Sequence, residues 1–243
     1  MKTKMMNYVH YLHLPGQKED YDRYLKQVSE KDLSPIKFLE FVLAQEYELK
    51  QRQALNARLK KARIPEEHVL ATFPFDRQPN LDKNQIVALY DSFDYIHRKQ
   101  NVIFLGPTGT GKTGLSTAFL IHAINQGSSG RFVLFPDLIA ELRKAEGSFT
   151  VERIIKRYAA YDCLVIDELG YVPVEPAQVG AFFTLMHKRH KRKTTFITSN
   201  LGFQDWISFL KNEHLTAALI DRLTDNSFVL NLQGCWRREV AFY

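Results

Sequence analysis

The run Gly106-Pro107-Thr108-Gly109-Thr110-Gly111-Lys112-Thr113 constrains the fold of this chain more than any other feature. Apolar residues 102–105 lead straight into it and read as a buried strand, and an apolar-periodic stretch over 115–124 follows and reads as a helix. A glycine-rich turn in that context is a phosphate loop. Its glycines permit tight turns that aim successive backbone N–H groups at phosphate oxygens, at the positive end of the helix. Lys112 is then placed to reach the β and γ phosphates of a nucleoside triphosphate, and the Thr113 hydroxyl to ligate Mg²⁺.

A strand–loop–helix unit of this kind belongs in a parallel sheet, and the rest of the chain supplies one. Apolar or β-branched runs recur at 102–105, 132–135, 164–166, 195–198 and 228–232, separated by helical stretches. That alternation predicts an α/β core of about five parallel strands with helices on both faces. The chain before it reads differently. Residues 1–75 are expected to form a small helical domain and residues 76–243 the main domain. Ser34-Pro35 is a helix start, a capping side chain followed by proline at the first helical position. Behind it Ile36, Leu39, Val42 and Leu43 recur at helical spacing, then Tyr47, Leu55 and Leu59, until Pro65. Glu46, Glu48, Lys50, Arg52, Arg58, Lys60, Lys61 and Arg63 would form a charged outer face, either solvated or available to DNA or a partner. Residues 72–80, with Phe73, Pro74, Phe75 and Pro79, read as the link into the main domain.

Composition narrows the setting. The net charge of +6 favours an acidic partner, of which nucleic acid is the commonest. The chain has 2 cysteines, Cys163 and Cys235, without metal-ligand spacing, so a reducing cytoplasm is expected. No run approaches the roughly 18 apolar residues of a membrane span, and no membrane association is expected.

Residues 164–168, Leu-Val-Ile-Asp-Glu, end an apolar strand in two carboxylates. Beside a phosphate loop, Asp167 would hold the metal directly or through water, and Glu168 would polarise an attacking water. Alone, the pair could equally be a solvated strand exit. The strand over 195–198 also ends in polar residues, where Asn200 is either a γ-phosphate contact or an ordinary turn asparagine. Arg222 and Arg237 carry the group suited to stabilising a transferring phosphoryl. Arg222 could instead pair with Asp221 or Asp225. The densest basic run spans 187–193, with Lys188, Arg189, Lys191, Arg192 and Lys193, and is the candidate for DNA phosphates. Cations at a helix C-terminus are favourable without any ligand.

Taken in order, GPTGTGKT, LVIDELGY, TTFITSN, Trp206, DRLTDNS and GCWRRE resemble the IstB/DnaC-like branch of the AAA+ ATPases over nearly the whole chain. The N-terminal patterns Tyr11-Leu12-His13-Leu14-Pro15 and Ser34-Pro35-Ile36-Lys37-Phe38-Leu39-Glu40 look more like IstB than DnaC. The resemblance implies an Mg²⁺-dependent ATPase that helps a transposase encoded beside it. It makes Asn200 the first sensor, Arg222 an arginine finger acting on ATP held by a neighbouring subunit, and Arg237 the second sensor. It further implies an ATP-dependent homo-oligomer on duplex DNA, binding largely without regard to sequence. Two positions depart from the family pattern. Gly114-Leu115-Ser116 replaces the usual His-Leu-Ala, with Gly114 costing the helix roughly 1 kcal/mol. Cys235-Trp236-Arg237 replaces the usual Ser-Tyr-Arg.

Three rivals share the phosphate loop. A DnaC-like helicase loader would use the N-terminal domain to bind a helicase. A small-molecule kinase fits poorly with the Asp167–Glu168 pair and the late Arg222, which suit water attack. A nucleotide-gated DNA scaffold would need ATP binding alone.

Overall fold

The computed structural model describes residues 2–14, 26, 34–145, 148–171 and 174–234. The chain divides into two compact units, 1–57 and 58–243. The first unit holds α1 (Lys2–Tyr11), and the helix α2 (Pro35–Ala62) runs through the dividing residue. Ser34 starts α2 as its sequence predicts, its carbonyl accepting from Phe38 N–H at 2.9 Å. The expected faces of α2 do not hold. Ile36, Leu39, Leu43 and Tyr47 are exposed, whereas Glu46 is buried. Apolar residues in this long helix are spread around its circumference, so spacing alone did not define one inward stripe.

In the second unit two short 3₁₀ turns, Leu70–Thr72 and Phe75–Arg77, precede α3 (Lys83–Ser92) and α4 (Asp94–His97). Phe73 is buried and stacks edge-on against Phe75 at 4.8 Å, so this link is packed onto the core. Asp82 caps α3 by accepting from the N–H groups of Asn84 and Gln85. The sheet then alternates with helices: β1 (Asn101–Leu105), α5 (Lys112–Asn125), β2 (Gly130–Leu134), α6 (Phe135–Lys144), α7 (Ser148–Ala160), β3 (Cys163–Leu169), α8 (Pro176–Arg189), β4 (Thr194–Ser199), α9 (Phe203–Leu210), α10 (Glu213–Thr224) and β5 (Ser227–Asn231). The run expected to end as strand at Phe135 instead turns there, because Pro136 is suited to a first helical turn and cannot continue the ladder.

All pairings are parallel, and the five strands lie in the order β2-β3-β4-β1-β5. The three central strands β3, β4 and β1 are almost wholly buried, as apolar runs covered on both faces must be. Their carboxyl ends lie side by side, which is where a sheet of this type places its ligand. Among the described residues no helix is long and apolar enough to cross a membrane.

Candidate nucleotide site

The phosphate loop joins β1 to α5 and takes the backbone that its glycines allow: φ is 147° at Gly106, 80° at Gly109 and 94° at Gly111. Gly106 is needed for space as well. A Cβ there would fall 2.0 Å from the carbonyl oxygen of Leu232, whose own N–H donates to Leu105 O at 2.7 Å. Lys112 is buried, and its ammonium donates to the carbonyls of Gly106 and Pro107, both at 2.7 Å. Burial pulls its pKa down, while the nearby carboxylates of Asp167 and Glu168 push it back up. Thr110 Oγ1 donates to Pro107 O at 2.9 Å and stiffens the turn.

The acidic pair owes its geometry to a bulge. Ile166 pairs with Ile197 and Leu169 with Ser199, so β3 carries one more residue than β4 between those rungs. A regular strand would send Asp167 and Glu168 to opposite faces. The extra residue re-aims them. Asp167 accepts from Thr113 Oγ1 at 3.0 and 3.1 Å, and Glu168 lines the cavity above the loop. Glu168 sits at φ 63°, a left-handed conformation that costs a non-glycine residue about 1 kcal/mol or more.

Thr198 holds that conformation in place. Its hydroxyl accepts from the Glu168 N–H at 3.0 Å and donates to Asp167 Oδ1. Burial still pushes the Asp167 carboxyl above its ordinary range, against the opposing hydroxyl bonds and the Lys112 charge. Glu168 is raised by burial and by Asp167 and Asp137. Beyond Thr198, Ser199 donates to Leu169 O at 2.7 Å and accepts from the buried Trp206 indole at 3.3 Å, fixing the strand end that leads to Asn200.

Of these, Gly109, Gly111, Lys112, Thr113, Glu168 and Thr198, together with Glu66, His68, Thr108 and Tyr171, line a cavity of about 360 Å³. It suits a magnesium triphosphate. The phosphate loop offers its amides and Lys112, and a hydroxyl and a carboxylate stand together as hard oxygen donors. A cation there would relieve a buried carboxylate that hydroxyl bonds alone leave raised. Among the described residues no group of three or more His, Cys, Asp and Glu could hold a metal by itself, and Mg²⁺ commonly completes its shell with phosphate and water.

The other expected residues are distributed as follows. Asn200 lies at the end of β4 with its amide oxygen buried and without a partner, facing Gly170, and it is not on the cavity wall. Arg222 stacks over the Phe183 ring at 4.8 Å, donates to Ala218 O at 2.9 Å and does not line this cavity. Arg237 lies outside the described residues. In the basic run the structure corrects one assignment outright. Arg189 is 1% exposed and donates to Thr195 Oγ1 and to the carbonyls of Tyr158, Tyr161 and Thr194, so it cannot reach DNA. It neutralises the C-terminal carbonyls of α7 from inside the fold. Lys191 pairs with Asp225 at 2.7 Å and Lys193 with Asp162 at 2.6 Å. Among the described residues Lys188 and Arg192 make no ion pair, and Arg192 is exposed.

Sequence reasoning missed Thr198, whose signal was a hydroxyl two places before Asn200 at a strand end. It also missed Gln78, buried beside the loop, which donates to Thr110 O at 2.9 Å and accepts from Gly234 N–H at 3.2 Å.

The IstB-like ATP binding protein model matches residues 8–239. The chain belongs to that family. IstB-like relatives include the ATP-binding protein of insertion sequence IS5376 from Geobacillus stearothermophilus, 31% identical over 96% of this chain and 93% of the relative. That of insertion sequence IS21 from Pseudomonas aeruginosa is 34% identical over 86% and 79%. Among solved structures, the crystal structure of DnaI superposes with a TM-score of 0.57 at 19% identity, covering 68% of this chain and 90% of DnaI. AMPPCP-bound DnaA from Aquifex aeolicus gives 0.56 at 16%, covering 70% and 51%. Those likenesses establish the fold: this IstB-like chain shares the α/β core, with its phosphate loop between β1 and α5, of DnaI and DnaA.

Proposed function

We propose that the chain is a Mg²⁺-dependent ATPase that assists transposition, assembling on duplex DNA largely without reading its sequence and engaging a transposase. The observation that carries the chemistry is the Thr113–Asp167–Thr198 network under the phosphate loop, with Glu168 re-aimed onto the cavity wall. Its relatives' names place them in insertion sequences, which supports the transposition setting.

In this reading Gly106 to Thr113 cradle ATP, with Lys112 on its β and γ phosphates. Thr113 and Asp167 hold Mg²⁺, which supplies charge neutralisation across those phosphates when bound. Glu168 takes the proton of the attacking water, and Asn200 orients that water after a side-chain rearrangement that gives its orphaned amide oxygen a partner. Arg222, absent from its own cavity wall, serves the site of a neighbouring copy, and Arg237 acts within its own. Completion by a neighbour predicts a poor ATPase as monomer and ATP-dependent head-to-tail assembly. The DNA face keeps Lys188 and Arg192 from the basic run. The reaction class and the cytoplasmic setting follow from the same reading.

The test is ATPase rate and assembly size of the purified chain with and without long duplex DNA of arbitrary sequence. DNA-stimulated hydrolysis with large ATP-dependent assemblies is expected. If duplex DNA changes neither quantity, the transposition reading falls and a helicase-loading role takes its place.

A further inference from the structure

Tyr171 closes the turn after β3 and has no role in the chemistry described above. Its hydroxyl lies 2.8 Å from Thr108 Oγ1, and both residues line the phosphate cavity with Lys112, Glu168 and Thr198. The turn that presents it has little room to vary. Gly170 sits at φ 114°, and a Cβ there would come within 2.8 Å of the Leu201 side chain and 3.0 Å of Asn200 Oδ1. The Tyr171 N–H points back to Glu168 O at 3.4 Å. A phenol that is 44% exposed and yet pinned to the phosphate loop is well placed to meet a ligand entering the cavity.

The proton count of the pair matters. Two hydroxyls carry two protons, and their mutual bond consumes one. The second remains available to an acceptor, and the accepting oxygen of the pair becomes a better donor once it is itself hydrogen-bonded. The location identifies the acceptor. In the proposed ATP site Lys112 would reach the β and γ phosphates and Thr113 would hold Mg²⁺ beside them. Tyr171 is joined by a short turn to Glu168, the residue proposed to take the proton of the attacking water.

We propose that Tyr171 reads the terminal phosphate: the Thr108–Tyr171 hydroxyl pair donates its unused proton to a γ-phosphate oxygen and so separates ATP from ADP. This deepens the ATP-binding reading of the site and needs neither hydrolysis nor DNA. It adds a specificity residue outside the phosphate loop, the metal ligands and Asn200.

The experiment measures dissociation constants of the full chain, with Mg²⁺, for the β,γ-methylene analogue of ATP and for ADP. Wild type is compared with Tyr171→Phe, Thr108→Val and the double variant. Tyr171→Phe keeps the ring and removes the hydroxyl. It is expected to weaken the triphosphate analogue about 3- to 10-fold, the size of one hydrogen bond to a charged acceptor at a partly exposed site, and ADP by less than about twofold. The double variant should lose no more than Tyr171→Phe alone, because the two hydroxyls act as one unit. Equal weakening of both nucleotides would reduce Tyr171 to a support for the loop and overturn the proposal, as would unchanged affinity for both. A chain that fails to hydrolyse ATP or to assemble on DNA still reports these ratios, so failure of the wider function is told apart from failure of this inference.

Discussion

Arg189→Met tests whether the densest cationic segment is surface or scaffold. The guanidinium makes four hydrogen bonds inside the protein, to Thr195 Oγ1 and to the carbonyls of Tyr158, Tyr161 and Thr194, at 2.5 to 3.0 Å. Burial lowers its pKa to about 10, so the charge persists at neutral pH and every bond is charge-assisted. Methionine fills much of the volume and satisfies none of the acceptors. At about 1 kcal/mol per orphaned acceptor, less about 1 kcal/mol regained by burying an apolar chain, the net loss is about 3 kcal/mol. In a domain of this size that lowers the melting temperature by roughly 6–12 °C. Differential scanning fluorimetry reads the shift, and fluorescence anisotropy with a labelled duplex reads DNA affinity at a temperature where the variant is folded. A melting temperature within about 2 °C of wild type, with a clear loss of DNA affinity, would refute the buried assignment.

Lys188→Ala with Arg192→Ala should do the reverse. Melting should hardly move, and if both touch phosphates the slope of log affinity against log salt should shrink by about 2. Thr198→Val removes the hydroxyl shared by Asp167 and Glu168 N–H; kcat should fall about 10- to 100-fold with ATP affinity little changed, read by steady-state kinetics beside equilibrium binding. Glu168→Gln should lower hydrolysis by about 10² or more while leaving ATP binding, and ATP-bound assemblies on DNA should outlast those of wild type in a dissociation chase. Asp162 has its carboxyl pushed up by burial, but the stronger pull of Lys193 and Ser129 holds it at about 2 instead of 3.8. Its stabilising contribution is therefore full above pH 3.8 and is lost as pH falls through 2. Because the pair is partly exposed, Asp162→Asn should cost only about 1 kcal/mol at pH 7, and melting curves of the two proteins should converge as pH drops from about 4 to 2.

Local patterns were legible and relational ones were not. The phosphate loop could be read because strand, glycines and helix are contiguous and each demands a particular backbone. The strands over 102–105 and 195–198 could be read because central parallel strands, covered on both faces, run in apolar and β-branched residues. Asp167 and Glu168 were recognisable as a pair, yet the bulge that turns both inward depends on the register with β4, which no single segment encodes. Arg189 was misassigned by counting charge alone. Val179, Phe182, Leu185 and Met186 form a buried helical stripe, and position 189 continues it. In α2 Ile36, Leu39 and Leu43 recur at the same helical spacing and yet are exposed. The difference is that α8 presents one dense stripe to the buried core, whereas α2 scatters its apolar residues.

Gln78 has a practical consequence. One buried amide clips together the segment arriving at the α/β core, the phosphate loop at Thr110, and Gly234 just past β5. The backbone at Gly234 is thus anchored within one side chain's span of the nucleotide cradle. The solvent-facing positions next to this clip are therefore the place to attach a fluorophore meant to read nucleotide occupancy separately from assembly or turnover. For the same reason a bulky group attached beside Gly234 would press on the side chain that holds the loop at Thr110, so purification handles belong elsewhere on the chain.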